Sequence, residues 1–417
     1  MLSLCIYFHV HHPYRIKRYR VFDVGADHSY FNDGSSTDLN NARVLEKVAM
    51  KSYIPANKLL LHLLFKHPEF RFAFSFSGVL LSQLEEKFPD VLQSFKDLVN
   101  TGRVELLSDT YYHSLAFFHS VPEFERQVRQ HRWLLERLFK QTPTVLRNTE
   151  LSYNNALAKW AENNGFMGIM AEGWDPVLGW RSPNFVYKPK GCKEIRLLLK
   201  NYRLSDDIAF RFGQQSWAGW PLTAPKYVSW VNAHHGNGQT VNLFMDYETF
   251  GEHQWEDTGI FHFLAELPRE FLKHPQNTFK TPTETICDYE PVGEIDMPQT
   301  VTWADTERDL SAWTGNGIQQ AALHELYALE QPVLATKDLK IIEDWRRLQT
   351  SDHFYYMCTK YFADGDVHKY FNPYDTPYDA YIAFMNVLYD LKLRVQNASS
   401  IGNVEVSAHE APVSFVH

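Results

Sequence analysis

The sequence predicts an α/β chain of parallel strands covered by helices, with a barrel preferred over an open doubly wound sheet. Three observations carry that expectation. Short apolar runs alternate with helix-like stretches over the first two-thirds of the 417 residues, the pattern left by parallel strands and crossover helices. No Gly-x-Gly-x-x-Gly or Walker-type loop follows any run, which disfavours a nucleotide-binding sheet. The length suits a barrel-sized domain with an appended region.

The elements follow in order. Leu4 to Phe8 is a first strand, and Lys58 to Lys66 a helix ended by His67-Pro68. In Arg71 to Phe76, Phe72, Phe74 and Phe76 alternate with small or polar residues, the period of a strand. Pro89 to Asn100 reads as a helix closed by Gly102, and Val104 to Leu107 as a strand. Pro122 to Phe139 gathers Phe124, Val128, Leu135 and Leu138 near one helical face. Thr144 to Arg147 is a strand, and Asn155 to Glu162 a helix closed by Gly165. Phe166 to Ala171, Ile195 to Leu199 and Val241 to Met245 are strands.

Beyond Asp309 the strand signals fade. Leu310 to Leu329, Thr336 to Tyr361 and Ala380 to Val395 read as helices, with a Pro-rich turn at 371–378. About the last twenty residues read as a polar, irregular tail. The expected division is a barrel over 1–300 and a helical bundle over 301–417, packed beside it.

Composition narrows the function. The net charge is −9 and no basic run occurs, which argues against nucleic acid as partner. Aromatic residues reach 15%; most belong in the core, but some suit a groove that stacks on sugar faces. Cys5, Cys192, Cys287 and Cys358 are scattered and form no C-x-x-C pair, as in reduced cytoplasmic proteins. The N-terminus has no basic n-region and reads as a strand. No apolar stretch reaches the roughly 18 residues of a membrane span. A cytoplasmic protein with no membrane partner is expected.

Polar side chains concentrate where the runs end: His9 and His11, Glu105, Glu150 and Asp246. A fifth cluster is Ser351-Asp352-His353-Phe354-Tyr355-Tyr356. A carboxylate leaving a parallel strand faces the end of the sheet where α/β proteins place their chemistry. Two such groups can share one glycosidic bond, one as nucleophile and one as proton donor. Each also has a plainer role, since a strand-end Glu often caps a helix or pairs with a cation. His9-x-His11 puts two imidazoles on one strand face, which suits either a metal or a hydrogen-bonded ligand.

These segments resemble the five motifs of glycoside hydrolase family 57, the α-amylase-like group. The motifs are His9-Val10-His11-His12-Pro13, Gly102-Arg103-Val104-Glu105, Asn148-Thr149-Glu150-Leu151-Ser152-Tyr153-Asn154-Asn155, Met245-Asp246-Tyr247-Glu248 with its continuation to His253, and the cluster at 351–356. The resemblance implies a distorted (β/α)7 barrel with a C-terminal helical region, and a retaining α-amylase-type hydrolase acting on α-1,4-glucan oligosaccharides or polysaccharides. It implies Glu150 as nucleophile and Asp246 as acid/base, with no cofactor and no catalytic metal. His9, His11, Glu105 and Asp352 are then expected to hold sugar hydroxyls. Trp174, Trp303 and Tyr355 are candidate stacking platforms, and Asp206 a candidate substrate-facing acid.

Two departures stand out. Arg147 occupies a position where some members carry tryptophan, and the fifth motif holds His353 and tyrosines rather than tryptophans. Glu248 competes with Asp246 for the acid role if the strand continues. A 4-α-glucanotransferase or branching enzyme is the alternative reading, and a zinc-dependent polysaccharide deacetylase or α-mannosidase-like enzyme a further one. The two carboxyls of a retaining pair are expected roughly 5–5.5 Å apart.

Overall fold

Ten strands occur among the described residues: β1 (Leu2–Val10), β2 (Phe72–Phe76), β3 (Val104–Leu106), β4 (Val145–Leu146), β5 (Gly168–Glu172), β6 (Lys188–Pro189), β7 (Arg196–Lys200), β8 (Thr240–Asp246), β9 (Asn277–Phe279) and β10 (Glu294–Ile295). The computed structural model describes residues 1–31, 34, 38–360 and 367–409. One edge of β1 pairs with β8, from Ser3↔Thr240 to His9↔Asp246. Its other edge is shared by β9 near Leu2 and β2 from Tyr7 onward. β3 lies outside β2, while β4, β5 and β7 form a second sheet. All these pairings are parallel.

Backbone bonds also join the edges of the two sheets. Past β3, Ser108 N donates to Val145 O and Arg147 N to Ser108 O, both at 2.9 Å. At the other edges Asn201 N donates to Asn242 O, again at 2.9 Å.

The pleat explains how the core is divided. β1 is buried along its whole length, as the apolar run Leu4–Phe8 within it requires of a parallel strand covered on both faces. Leu4, Ile6 and Phe8 point one way, with Phe72, Phe74, Leu243 and Met245, into a core shared with helices Ile54–Lys66, Pro89–Val99, Val121–Phe139 and Ile260–Phe271. Cys5 and Tyr7 point the other way. They meet Ala73, Leu107, Val145, Met170, Leu198 and Phe244, drawn from both sheets.

Several helices begin at strand exits because a cap stands there. Ser77 Oγ accepts from Leu80 N, Asn154 Oδ1 from Leu157 N and Asn201 Oδ1 from Leu204 N. The chain past β8 turns at Gly251 (φ +109°), where a Cβ would stand 2.1 Å from Lys51 O.

The expected strands appear within two residues at each end. Helices Gly78–Lys87, Tyr202–Ala209 and Ala224–Asn232 were not expected. Tyr202–Ala209 was disguised by Asp206 and Asp207, which are buried with Leu204 and Ile208. The single helix expected from Thr336 is two, Leu339–Arg347 and Ser351–Tyr355. Lys337 is left-handed and Asp338 caps the first of them; Tyr361 lies outside the described residues. The backbone is helical from Pro377 to His409, where the expected irregular tail had its first half, and 410–417 lie outside the described residues.

Two units result, and their division differs from the expected one at residue 300. The first holds Met1–His12, Ala42–His113 and Val121–Leu310. The second holds Pro13–Asn41, Ser114–Ser120 and Ser311–His417. Within the second, the buried Asp390 carboxylate accepts from Gly25 N at 2.6 Å, His28 Nδ1 at 2.7 Å and Tyr30 OH. That bond set fixes an early segment to a late helix, a long-range link that the local signals of sequence do not carry. Among the described residues no helix is long and apolar enough to cross a membrane.

Candidate active site

One step beyond the apolar layer of Tyr7, Leu107, Val145, Met170, Leu198 and Phe244, the same pleat direction delivers His9, Asp109, Arg147, Glu172, Lys200 and Asp246. His9 is the register partner of Asp246, and Glu172 of Lys200. A polar layer therefore caps an apolar one at the strand exits.

Glu150 follows β4 in a short 3-10 turn. Glu150 and Leu151 are both left-handed (φ 58° and 52°), a conformation that costs non-glycine residues on the order of 1–2 kcal/mol each. Side-chain bonds hold the turn: Asn148 Nδ2 donates to Ser152 Oγ at 2.8 Å, Ser152 Oγ to Thr149 O at 2.6 Å, and Thr149 Oγ1 to Asp109 Oδ1 at 3.2 Å. The Glu150 carboxylate accepts from Trp303 Nε1 at 3.0 Å and stands 3.3 Å from His113 Nε2. Trp303 is positioned by the bridge between Tyr153 and Val301.

A buried charge chain stands behind that carboxylate. His113 Nδ1 is 3.4 Å from Asp109 Oδ2, which accepts from Arg147 NH1 at 3.1 Å. Asp109 and Arg147 are both 0% exposed. Arg147 also donates to Tyr7 OH at 3.2 Å and lies 4.7 Å over the Trp303 ring. Burial pushes the Asp109 pKa up, but His113 and Arg147 outweigh it and leave it below the ordinary value. Burial pushes His113 down, and its two carboxylate neighbours more than reverse this, to about 9. His113 is thus a cation at neutral pH.

Asp246 meets the opposite balance. Burial lifts its pKa to about 6, with the Glu150 charge adding to the rise while Arg147, Lys200 and His113 oppose it. Glu248 does not share its direction, because β8 ends at Asp246 and a 3-10 turn follows. Its carboxyl accepts from Tyr53 OH, and burial followed by the Asp246 charge raises it to about 8.

The remaining expected residues divide. His9 and His11 stack with centroids 5.8 Å apart, and His11 lies 4.0 Å from His113. Asp206 joins the layer through Lys200 Nζ at 3.2 Å and Arg308 at 3.6 Å. Trp174, half-buried, follows β5 after Gly173, where a Cβ would stand 2.3 Å from Lys200 O. Glu105 is not brought to this layer. It is the register partner of Ala73, below the exit, and accepts from Thr283 N at 2.9 Å and Thr283 Oγ1 at 2.6 Å. The path of β3 continues through Ser108, so its exit acid is Asp109. Asp352 and Tyr355 belong to the second unit, where the Tyr355 ring stacks on His368 at 4.3 Å.

The sequence profile of glycosyl hydrolase family 57 matches residues 5–298. The chain belongs to this family. Across 401 residues this family 57 chain is 41% identical to a Methanocaldococcus jannaschii protein named, provisionally, as an alpha-amylase. The match covers 93% of this chain and 84% of that protein. Among solved structures, the branching enzyme of Pyrococcus horikoshii superposes with a TM-score of 0.67 at 14% identity, over 88% and 87% of the two chains. The 4-alpha-glucanotransferase of Thermococcus litoralis gives 0.61 at 16% identity, over 85% of this chain but 56% of that one. At such identities the likeness is one of fold.

In the family 57 chain, sequence reasoning missed Asp109, His113, Glu172, Lys200 and Arg308. Glu172 and Lys200 carried the same signal as Glu150 and Asp246, a charge closing an apolar run. His113, in Tyr111-Tyr112-His113, carried none.

Proposed function

We propose that this chain is a retaining α-1,4-glucan hydrolase of the α-amylase type on a distorted (β/α)7 barrel. The barrel reading rests on seven strands, β1 to β5 with β7 and β8, whose two sheets are bonded at both pairs of edges. It rests also on the apolar cluster that draws side chains from both sheets.

The observation that carries the mechanism is the contrast between two acids. Glu150 faces a cationic imidazole and an indole N–H, which stabilise its carboxylate form for attack. Asp246 is pushed towards the protonated form, as a general acid requires. Glu150 attacks the anomeric carbon while Asp246 gives its proton to the departing glycosidic oxygen. A glycosyl ester and an ionised Asp246 result. Asp246 then takes a proton from water, whose oxygen attacks the anomeric carbon and frees Glu150. Two carboxyls and water balance both steps.

His9, His11, Asp206, Trp174 and Trp303 surround this pair as sugar contacts in this reading. Asp352 and Tyr355 keep their expected roles as sugar contacts, tested by alanine substitution through KM. Glu105 is reassigned to holding the helix Pro282–Asp288. A sugar hydroxyl in place of water in the second step makes the same machinery a glucanotransferase.

Glu150→Gln tests the assignment. Turnover of maltooligosaccharides should fall by about four orders of magnitude while their binding persists. Near-wild-type turnover would remove Glu150 from the nucleophile role.

A further inference from the structure

We propose that His9, His11 and His113 form a binding site for a zinc-class divalent cation whose occupancy shuts the active site. The three side chains each offer one ligand atom, all within 4.8 Å of one another. Ligand nitrogens about 2.0–2.1 Å from a tetrahedral zinc lie about 3.4 Å apart, so shifts on the order of 1 Å close the set.

The outer contacts have the pattern of ligating histidines, in which one ring nitrogen is held by a carbonyl, hydroxyl or carboxylate. His9 Nδ1 is 3.1 Å from Ser75 O and His11 Nδ1 is 2.7 Å from Ser77 Oγ, while His113 Nδ1 makes a looser ion-pair contact, 3.4 Å from Asp109 Oδ2. All three point to Nε2 as the ligating atom. His9 is 3% exposed, and its Nε2 is buried without a hydrogen-bond partner, which is a cost that a ligand would remove. Three imidazoles select zinc, copper or nickel over calcium and magnesium. Glu150 and Asp246 beside them add negative charge, while Arg147, paired with Asp109, opposes it.

Binding displaces the Nε2 proton of His113 to solvent, takes that nitrogen away from Glu150 and fills the space over the strand exits. The inhibitory consequence rests on the proposed function, but the binding does not.

The test uses the full chain stripped by chelator and titrated with zinc alone, with magnesium as control. One zinc per chain should bind, and His11→Gln should weaken it at least tenfold, a loss typical of even an outer-contact change. X-ray absorption of the zinc-loaded wild type should show three imidazole nitrogens at about 2.0 Å, a reading independent of any variant. Zinc should inhibit hydrolysis reversibly, and the stripped enzyme should be fully active.

Failure to bind zinc, binding unchanged in His11→Gln, or a non-imidazole shell would each overturn the site. A stripped enzyme that is active but binds no zinc loses this site alone and keeps the two-carboxylate reading. Activity that disappears with the chelator and returns with zinc would overturn both.

Discussion

His113 Nε2 stands 3.3 Å from Glu150 Oε1, and its Nδ1 stands 3.4 Å from Asp109 Oδ2. One imidazole thus faces two carboxylates, and they hold it charged against the pull of burial. Arg147 secures the far carboxylate, and Trp303 secures the near one while packing on Arg147. The arrangement places a positive charge beside Glu150 and, of the two acids proposed to react, leaves Asp246, on β8, as the one that keeps its proton longer.

In the proposed mechanism the pKa of Asp246, raised to about 6, sets the alkaline limb of activity. Plotted against pH, kcat/KM should fall about tenfold per unit above this value, because the free enzyme then lacks its acid. Asp246→Asn should lose activity on ordinary glucans and recover part of it on substrates with good leaving groups. Folding favours the protonated form, so stability is full below about pH 4 and is lost as pH rises through about 6, and Asp246→Asn should gain on wild type in thermal melts over that range and keep the gain to pH 8. Absence of leaving-group rescue would move the acid role elsewhere.

Arg147 and Asp109 form a fully buried pair. Arg147→Leu should destabilise the chain by about 3–5 kcal/mol, since it strands a buried carboxylate. The double variant Arg147→Leu/Asp109→Asn should recover a good part of that loss in denaturant melts. A single-variant cost below about 1 kcal/mol would show that the pair is not held as described.

The folded pKa of His113, about 9, exceeds its ordinary 6.5. Its stabilisation is therefore full below about pH 6.5 and disappears as pH rises through about 9. His113→Gln should accordingly be less stable than wild type at pH 6, with the gap closing by pH 10. A gap that stays constant across that range would mean that packing, not charge, is what the histidine supplies.

Most of the strand order was legible, because parallel strands buried on both faces leave unbroken apolar runs such as Leu4–Phe8. Glu150 and Asp246 were legible as charges that close such runs. Glu105 misled because the short β3 hides how far its path continues: the exit acid lies four residues later. His113 was not legible, and Trp303 was legible only as a stacking platform and not as a donor to Glu150, for another reason. Each reaches Glu150 from a loop, and loop direction is set by tertiary bonds such as Tyr153–Val301 rather than by local pattern. The second unit's early segment was illegible because the bonds of Asp390 to Gly25 and Tyr30 span most of the chain.

In the proposed mechanism Glu150 carries the sugar between the two half-reactions. A fluorinated maltosyl fluoride, which forms the glycosyl ester quickly and releases it slowly, should leave one glycosyl mass per chain. Peptide mapping by mass spectrometry should place that mass on Glu150, and Glu150→Gln should remain unlabelled. Label on Glu248 or any other residue, or release of product with inverted anomeric configuration and no label, would remove Glu150 from the nucleophile role.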